Sequence, residues 1–245
     1  MLRTLAPLLA LALAGALAAP AAARTVRIAT EGAYPPWNFV NERGEVDGFE
    51  RELGDALCAR AGLSCTWVVQ EWESLIPNLV AGNADAIIGS LVITPARAAV
   101  IAFSEPYLPP DPVRFFAPAG AGPEAMVGVV ATQANTIFAD HLATTPAVVA
   151  AFSTAEEVVA AVRAGVADAG LLDQGFLDPI LAESDGALVY LGAPLILSPG
   201  TGVGLRQSDA ELRAAFDAAI AAMKADGSLN AMIRRWFGPD FPIFD

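Results

Sequence analysis

From Thr25 onward, short β-branched and apolar runs alternate with stretches bracketed by helix-capping residues. That alternation is the pattern of an α/β fold, in which the strands of a sheet are joined by crossover helices. The runs predict strands at 26–31, 65–70, 86–89, 113–117, 127–130, 167–172 and 202–205. A helix is predicted over 49–61, ending at Gly62, and another over 74–81, ending at Gly82 after an apolar face of Leu75, Ile76 and Leu79. Near the end, Ser208 and Glu211 form a capping-box pattern that opens a long helix running to Gly227. Ser228 is placed to cap a last helix carrying Trp236 and Phe237.

Two breaks interrupt this pattern. Three prolines in the four positions 109–112 forbid helix and favour a stiff extended connection. Ser198-Pro-Gly-Thr-Gly202 makes a second break, after which the chain is placed to return to its first lobe. Two such crossings make a pair of lobes that hinge about a shared cleft. The alternative is that both are ordinary surface loops of one domain.

Composition and the N-terminus narrow the compartment. Arg3 precedes an apolar run at 8–17 and small residues at Ala21-Ala22-Ala23, the pattern of a secretory signal peptide over 1–23 with cleavage near Arg24. The run is shorter than the roughly 20 residues of a spanning helix, so export rather than anchoring is expected. About 220 residues would remain, enough for one large domain or two small lobes. The formal charge of -13 becomes -14 when the single charge of Arg3 is lost, which disfavours nucleic acid and anionic lipid as partners. Cys58 and Cys65 are the two cysteines, and in an oxidising compartment their default is a disulfide. A metal-ligand pair is the weaker reading, because no further Cys or His lies near them.

Candidate chemistry gathers at predicted strand ends. Thr94 and Pro95 suit an N-cap and a first helical position, which puts Arg97 in the first turn of a helix. A cation there opposes the helix dipole, so the placement suggests that it serves an anion held at the same terminus. A guanidinium can grip a carboxylate through two parallel hydrogen bonds. The alternative is a solvated arginine paired with Glu73 or Glu105. Glu31 could accept from a ligand cation, while Tyr34 and Trp72 offer flat apolar faces to a ligand side chain or pack in the core. Trp37 reads as core. Asp173 ends a strand and could pair with an ammonium or cap the helix that follows. No catalytic set assembles: His141, the one histidine, has no neighbouring Ser, Cys or acid pattern, and Gly200 to Gly204 lacks a P-loop lysine. No metal site or cofactor is expected.

As a set, these stretches resemble the polar amino-acid-binding periplasmic proteins of ABC importers, especially the lysine/arginine/ornithine-, histidine- and opine-binding group. The marks are Glu-Gly-Ala-Tyr-Pro-Pro from Glu31, Gly-Phe-Glu at 48–50, the Cys58 and Cys65 pair, Leu-Ile-Pro at 75–77, Asp-Ala-Ile-Ile at 85–88, Ile-Thr-Pro-Ala-Arg at 93–97, Phe-Ser-Glu-Pro-Tyr at 103–107 and Gly-Thr-Gly-Val-Gly-Leu at 200–205. The resemblance implies a two-lobed periplasmic-binding-protein fold. Its first lobe would hold 24–109 and 202–245, its second 113–193, with hinges near 109–112 and 194–201. It implies that Arg97 clamps an α-carboxylate, that Asp173 and the Ser90 carbonyl take the α-ammonium, and that Tyr34 and Trp72 sandwich the side chain. Glu31 would lie near the far end of that side chain, and Ser90, Leu91 and Val92 count among the ligand-binding residues. A monomer that delivers an amino acid to membrane permease subunits is expected.

The chain departs from the family pattern in three places. Val92 stands where a hydroxyl is common and keeps only its backbone N–H for the carboxylate, at a cost of about 1 to 1.5 kcal/mol unless water substitutes. Gly89 replaces a common Ser. The second-lobe turn is altered around Val130-Ala-Thr-Gln-Ala-Asn135, which leaves open whether Thr132 or Gln133 occupies the carboxylate-binding turn. The fold also resembles that of cyclohexadienyl dehydratases, which act on prephenate or arogenate; on that alternative Glu31 is the carboxylate available as general acid.

Overall fold

The computed structural model describes residues 25–245, so the expected leader and its cleavage point near Arg24 lie outside the described residues. The first stretch runs β1 (Thr25–Thr30), a small meander of β2 (Ala33–Tyr34), β3 (Asn38–Val40) and β4 (Val46–Asp47), then α1 (Phe49–Ala61), β5 (Ser64–Val69), α2 (Leu75–Val80), β6 (Ala86–Ile87), α3 (Pro95–Ala98) and β7 (Ala102–Leu108). The second stretch runs β8 (Val113–Pro118), β9 (Val129–Gln133), α4 (Ile137–Leu142), β10 (Val148–Phe152), α5 (Ala155–Arg163), β11 (Ala169–Asp173), α6 (Gln174–Ala182) and β12 (Leu188–Leu195). The chain returns through β13 (Thr201–Leu205) and ends with α7 (Ala210–Ala225) and α8 (Ser228–Phe237).

Two five-stranded sheets result, ordered β5-β1-β6-β13-β7 and β10-β9-β11-β8-β12. In each, three neighbouring strands are parallel, and the two on the crossing side join antiparallel. Each sheet with its helices forms one lobe of a two-lobed α/β fold, and the chain crosses between the lobes from β7 to β8 and from β12 to β13. Parallel strands covered on both faces run largely apolar: Val26, Ile28 and Ala29 of β1 are fully buried, while Arg27 reaches out to Asp85 at 2.9 Å. On α1, Phe49, Leu53 and Leu57 recur every four residues and are buried in the same core as Phe216 and Ile220 of α7. Gly62 adopts the left-handed conformation that ends α1. Three residues beyond it the Cys58–Cys65 disulfide ties that helix end to the second residue of β5.

Several predicted boundaries move, each for a local reason. The strand expected at 127–130 is β9, which begins two residues later because Pro123 opens a 3-10 turn that takes Val127. The strand expected at 86–89 stops at Ile87, since Ser90 turns into the left-handed region with φ 52°. The capping box expected at Ser208 is not formed. Asp209 holds the N-cap position without a side-chain cap bond, its carboxylate being drawn instead to Arg206 at 2.5 Å. A full capping box occurs at Thr154 and Glu157 on α5, where none was predicted. Gly227, not Ser228, holds the N-cap position of α8. Strands β7, β10 and β12 were not predicted: β7 contains Pro106, and β10 is an edge strand whose Val148 and Val149 are exposed.

Candidate ligand-binding site

The carboxyl ends of β1, β6, β9 and β11 point into the cleft between the lobes, where open α/β sheets place their ligands. A small cavity lies there, bounded by Glu31, Trp72, Ser90, Arg97, Gln133 and Asp173, with Tyr34, Gly89, Val92, Thr136, Ile137 and Phe138 completing its wall.

Arg97 follows from local capping chemistry. The Thr94 hydroxyl accepts from the Arg97 N–H at 3.1 Å, with Pro95 opening the turn. The guanidinium donates from Nη1 to the Val92 carbonyl at 2.9 Å and from Nη2 to the Asn135 carbonyl at 3.3 Å. It lies 5.3 Å from the Trp72 ring centroid. Burial lowers its pKa to about 10, so it stays charged at neutral pH. Glu73 is exposed and Glu105 lies 3.8 Å from Lys224, so neither surface pairing considered for Arg97 is formed.

Ser90 is held by a buried carboxylate. Glu50 accepts from the Ser90 N–H at 2.6 Å, from Asn38 Nδ2 at 2.7 Å and from the Tyr107 hydroxyl. Burial raises the Glu50 pKa, and these donors oppose the rise. A non-glycine residue at positive φ persists where its surroundings over-determine it, and the Glu50 bonds supply that constraint. Sequence reasoning passed over Glu50 as a functional residue, although the Gly-Phe-Glu stretch was one of the marks of resemblance.

Among the described residues, four polar contacts join the lobes across the cleft. Gln133 Nε2 donates to Glu31 at 2.7 Å and also to the Ser153 carbonyl at 3.0 Å. The Tyr34 hydroxyl donates to Asp173 at 2.8 Å. Trp72 Nε1 and Arg97 both donate to the carbonyl of Asn135, whose φ is 57°. Burial pushes the Glu31 carboxyl up to about 7, despite the Gln133 bond, and the carboxylates of Glu156, Glu50 and Glu71 push the same way. Asp173 is raised to about 7 by burial against the opposing Tyr34 bond. Its neighbour Asp111, on the first crossing, is raised by burial and then by the charge of Asp173.

Not every expected residue comes to the cavity. Leu91, 1% exposed, sits in an apolar cluster with Ala29, Leu75 and Leu79, because the turn at Ser90 sends the next side chain back into the core. Thr132 is fully buried and donates to the Leu171 carbonyl at 3.2 Å, so of the two residues left open in that turn, Gln133 lines the cavity. Tyr34 lines it while stacked on Phe176 at 4.6 Å and tilted against Trp37, so part of its ring surface is already covered. Trp37 is core, against Phe237. Asp173 stands at the N-cap position of α6 without a side-chain cap bond. Asn135, Thr136, Ile137 and Phe138 were missed; the Asn-Thr pair before an apolar run is the helix-start signal that could have found them.

The model of the bacterial extracellular solute-binding proteins, family 3, matches residues 26–239. The chain is 33% identical over 241 residues to the lysine/arginine/ornithine-binding periplasmic protein of Escherichia coli (strain K12), spanning 90% of this chain and 89% of that one. It is 34% identical over 255 residues to the L-arginine-binding protein of Pseudomonas aeruginosa, spanning 94% and 97%. Among solved structures, a periplasmic His/Glu/Gln/Arg/opine family-binding protein from Silicibacter pomeroyi in complex with lysine has 53% identity and a TM-score of 0.87, over 89% of this chain and all of that one (100%).

Proposed function

The chain belongs to family 3 of the bacterial extracellular solute-binding proteins, and from that membership we propose that it is a periplasmic receptor for a basic amino acid. The observation that carries the ligand class is the charge inventory of the cavity, which holds one cation, Arg97, and two carboxyls, Asp173 and Glu31. A basic amino acid presents the complement: one carboxylate and two cations. Arg97 takes the α-carboxylate, Asp173 with the Ser90 carbonyl takes the α-ammonium, and Glu31 takes the side-chain cation beside Trp72 and Tyr34. Capture is binding, not chemistry; the relatives are named as binding proteins, which leaves the dehydratase alternative with less support. The lysine in the Silicibacter pomeroyi complex supports the same ligand class.

In this reading a signal peptide over 1–23 is removed near Arg24. Lobes 24–109 with 202–245 and 113–193 open about 109–112 and 194–201, and a monomer in its closed form meets the permease of an ABC importer. A thermal-shift series over lysine, arginine, ornithine, histidine, glutamate and glutamine tests it. A ligand at about 100 times its dissociation constant stabilises the fold by about 2.7 kcal/mol. A shift with glutamate and none with the four basic amino acids would refute the ligand class.

A further inference from the structure

The ligand cavity shares two of its wall residues, Glu31 and Trp72, with a second space. The crossings lie along the β7, β8, β12 and β13 side of the sheets, whereas β5 and β10 are the opposite edges. Between the ends of those two edge strands lies this second space, open to solvent and lined by Val69 at the end of β5, by Gln70 and Glu71 after it, by Ser74, and by Ser153 and Thr154 after β10. Glu31 and Trp72 line both this vestibule and the ligand cavity. Asp173 also faces a cavity walled by Pro109, Asp111 and Ser198 of the two crossings, so it marks the hinge side and Glu31 the mouth side. A ligand anchored at Arg97 and Asp173 therefore points its side chain out through the mouth. Beside Glu31 the Gln133 amide donates to its carboxylate at 2.7 Å and to the Ser153 carbonyl at 3.0 Å, and this unbranched side chain would have to turn aside for a larger group to pass Glu31.

Charge decides what can follow. Glu31 and Glu71 face the vestibule, no lysine or arginine lines it, and the remaining lining is neutral. A cationic substituent keeps its counter-charges there, a carboxylate meets like charge, and a neutral cap that abolishes the side-chain charge leaves Glu31 unpaired in a buried site.

We propose that the cavity and this vestibule form one continuous site that accepts basic amino acids enlarged at the distal nitrogen, such as N-alkylated lysines, provided that the nitrogen keeps its positive charge and the added group carries no carboxylate. This rests on the basic-amino-acid reading of the cavity.

Calorimetric titration of the full mature chain with lysine, Nε-isopropyl-lysine, Nε-trimethyl-lysine, Nε-acetyl-lysine and Nε-carboxymethyl-lysine tests it. The two alkylated cations are expected to bind within about tenfold of lysine, and the acetylated and carboxymethylated forms more than about a hundredfold more weakly. Glu71→Lys places a cation in the vestibule, away from the groups assigned to the zwitterion, and is expected to weaken isopropyl-lysine more than lysine by about threefold or more. Lysine binding with both alkylated forms over about a hundredfold weaker means a closed end and overturns the proposal. So does acetyl-lysine binding as well as lysine, which removes the charge requirement. If no basic amino acid binds, the reading of the cavity itself has failed, an outcome distinguishable from the other two.

Discussion

Glu31→Gln isolates the electrostatic design of the cavity with little change of shape, because a glutamine oxygen can still accept from Gln133. The wild-type carboxyl is raised from 4.5 to about 7, chiefly by burial. That rise corresponds to about 3 kcal/mol, the extra cost of ionising the group in the folded protein without ligand. The folded state keeps the proton between about 4.5 and 7 while the unfolded state gives it up, so the protein in its folded form holds more protons in that window. The stabilising contribution is therefore complete below about 4.5 and is lost as pH rises through about 7. Thermal unfolding without ligand at about pH 5 and pH 8 should show the wild type losing roughly 5 to 10 °C more than Glu31→Gln, from the ~2.5 kcal/mol lost over that interval at about 2 to 4 °C per kcal/mol for a chain of this size. Asp173 and Asp111 titrate in the same direction but are present in both proteins, so the difference between the two slopes belongs to Glu31. Saturating lysine should remove that difference by supplying the counter-charge. Parallel pH profiles in the two proteins would refute the electrostatic account of Glu31.

Three further outcomes are expected. Arg97→Ala should weaken lysine binding by about 3 to 5 kcal/mol in calorimetry, since a buried carboxylate is left without its partner; a loss of less than about tenfold would remove Arg97 from the clamp. Replacing Cys58 and Cys65 together by serine should cost about 2.5 kcal/mol of stability from the short closed loop, read as a lower melting temperature; an unchanged melting temperature would show that the bond constrains nothing. Asp111→Asn should stabilise the protein without ligand increasingly as pH rises above the ordinary carboxylate range. The raised carboxyl of Asp111 favours folding where both states are protonated and opposes it where the unfolded state ionises. Its Oδ2 is buried without a hydrogen-bond partner, so denaturant titrations at acid and neutral pH that give equal differences from wild type would contradict this.

What the sequence by itself determined follows from short-range chemistry. Alternating apolar runs and capped stretches specify an α/β fold, and Thr94 with Pro95 puts Arg97 in the first turn of its helix whatever surrounds it. Two cysteines seven positions apart lie within reach of each other across a single turn. Strand ends bearing Glu31 and Asp173 mark the cleft because parallel sheets open their ligand sites there. Tertiary structure alone decided which of these residues meet. Leu91 and Thr132 are adjacent in sequence to cavity residues but turn into the core, since the positive φ at Ser90 and the strand alternation at Thr132 send neighbouring side chains opposite ways. The bonds from Gln133 to Glu31 and from Tyr34 to Asp173 join residues 102 and 139 positions apart, a pairing that no local pattern encodes. Glu50 is legible as an acid on a helix, yet its role in fixing Ser90 exists because the fold buries it beside that turn. The mouth-side vestibule likewise depends on which sheet edges lie opposite the crossings, a property of strand order and not of any one segment.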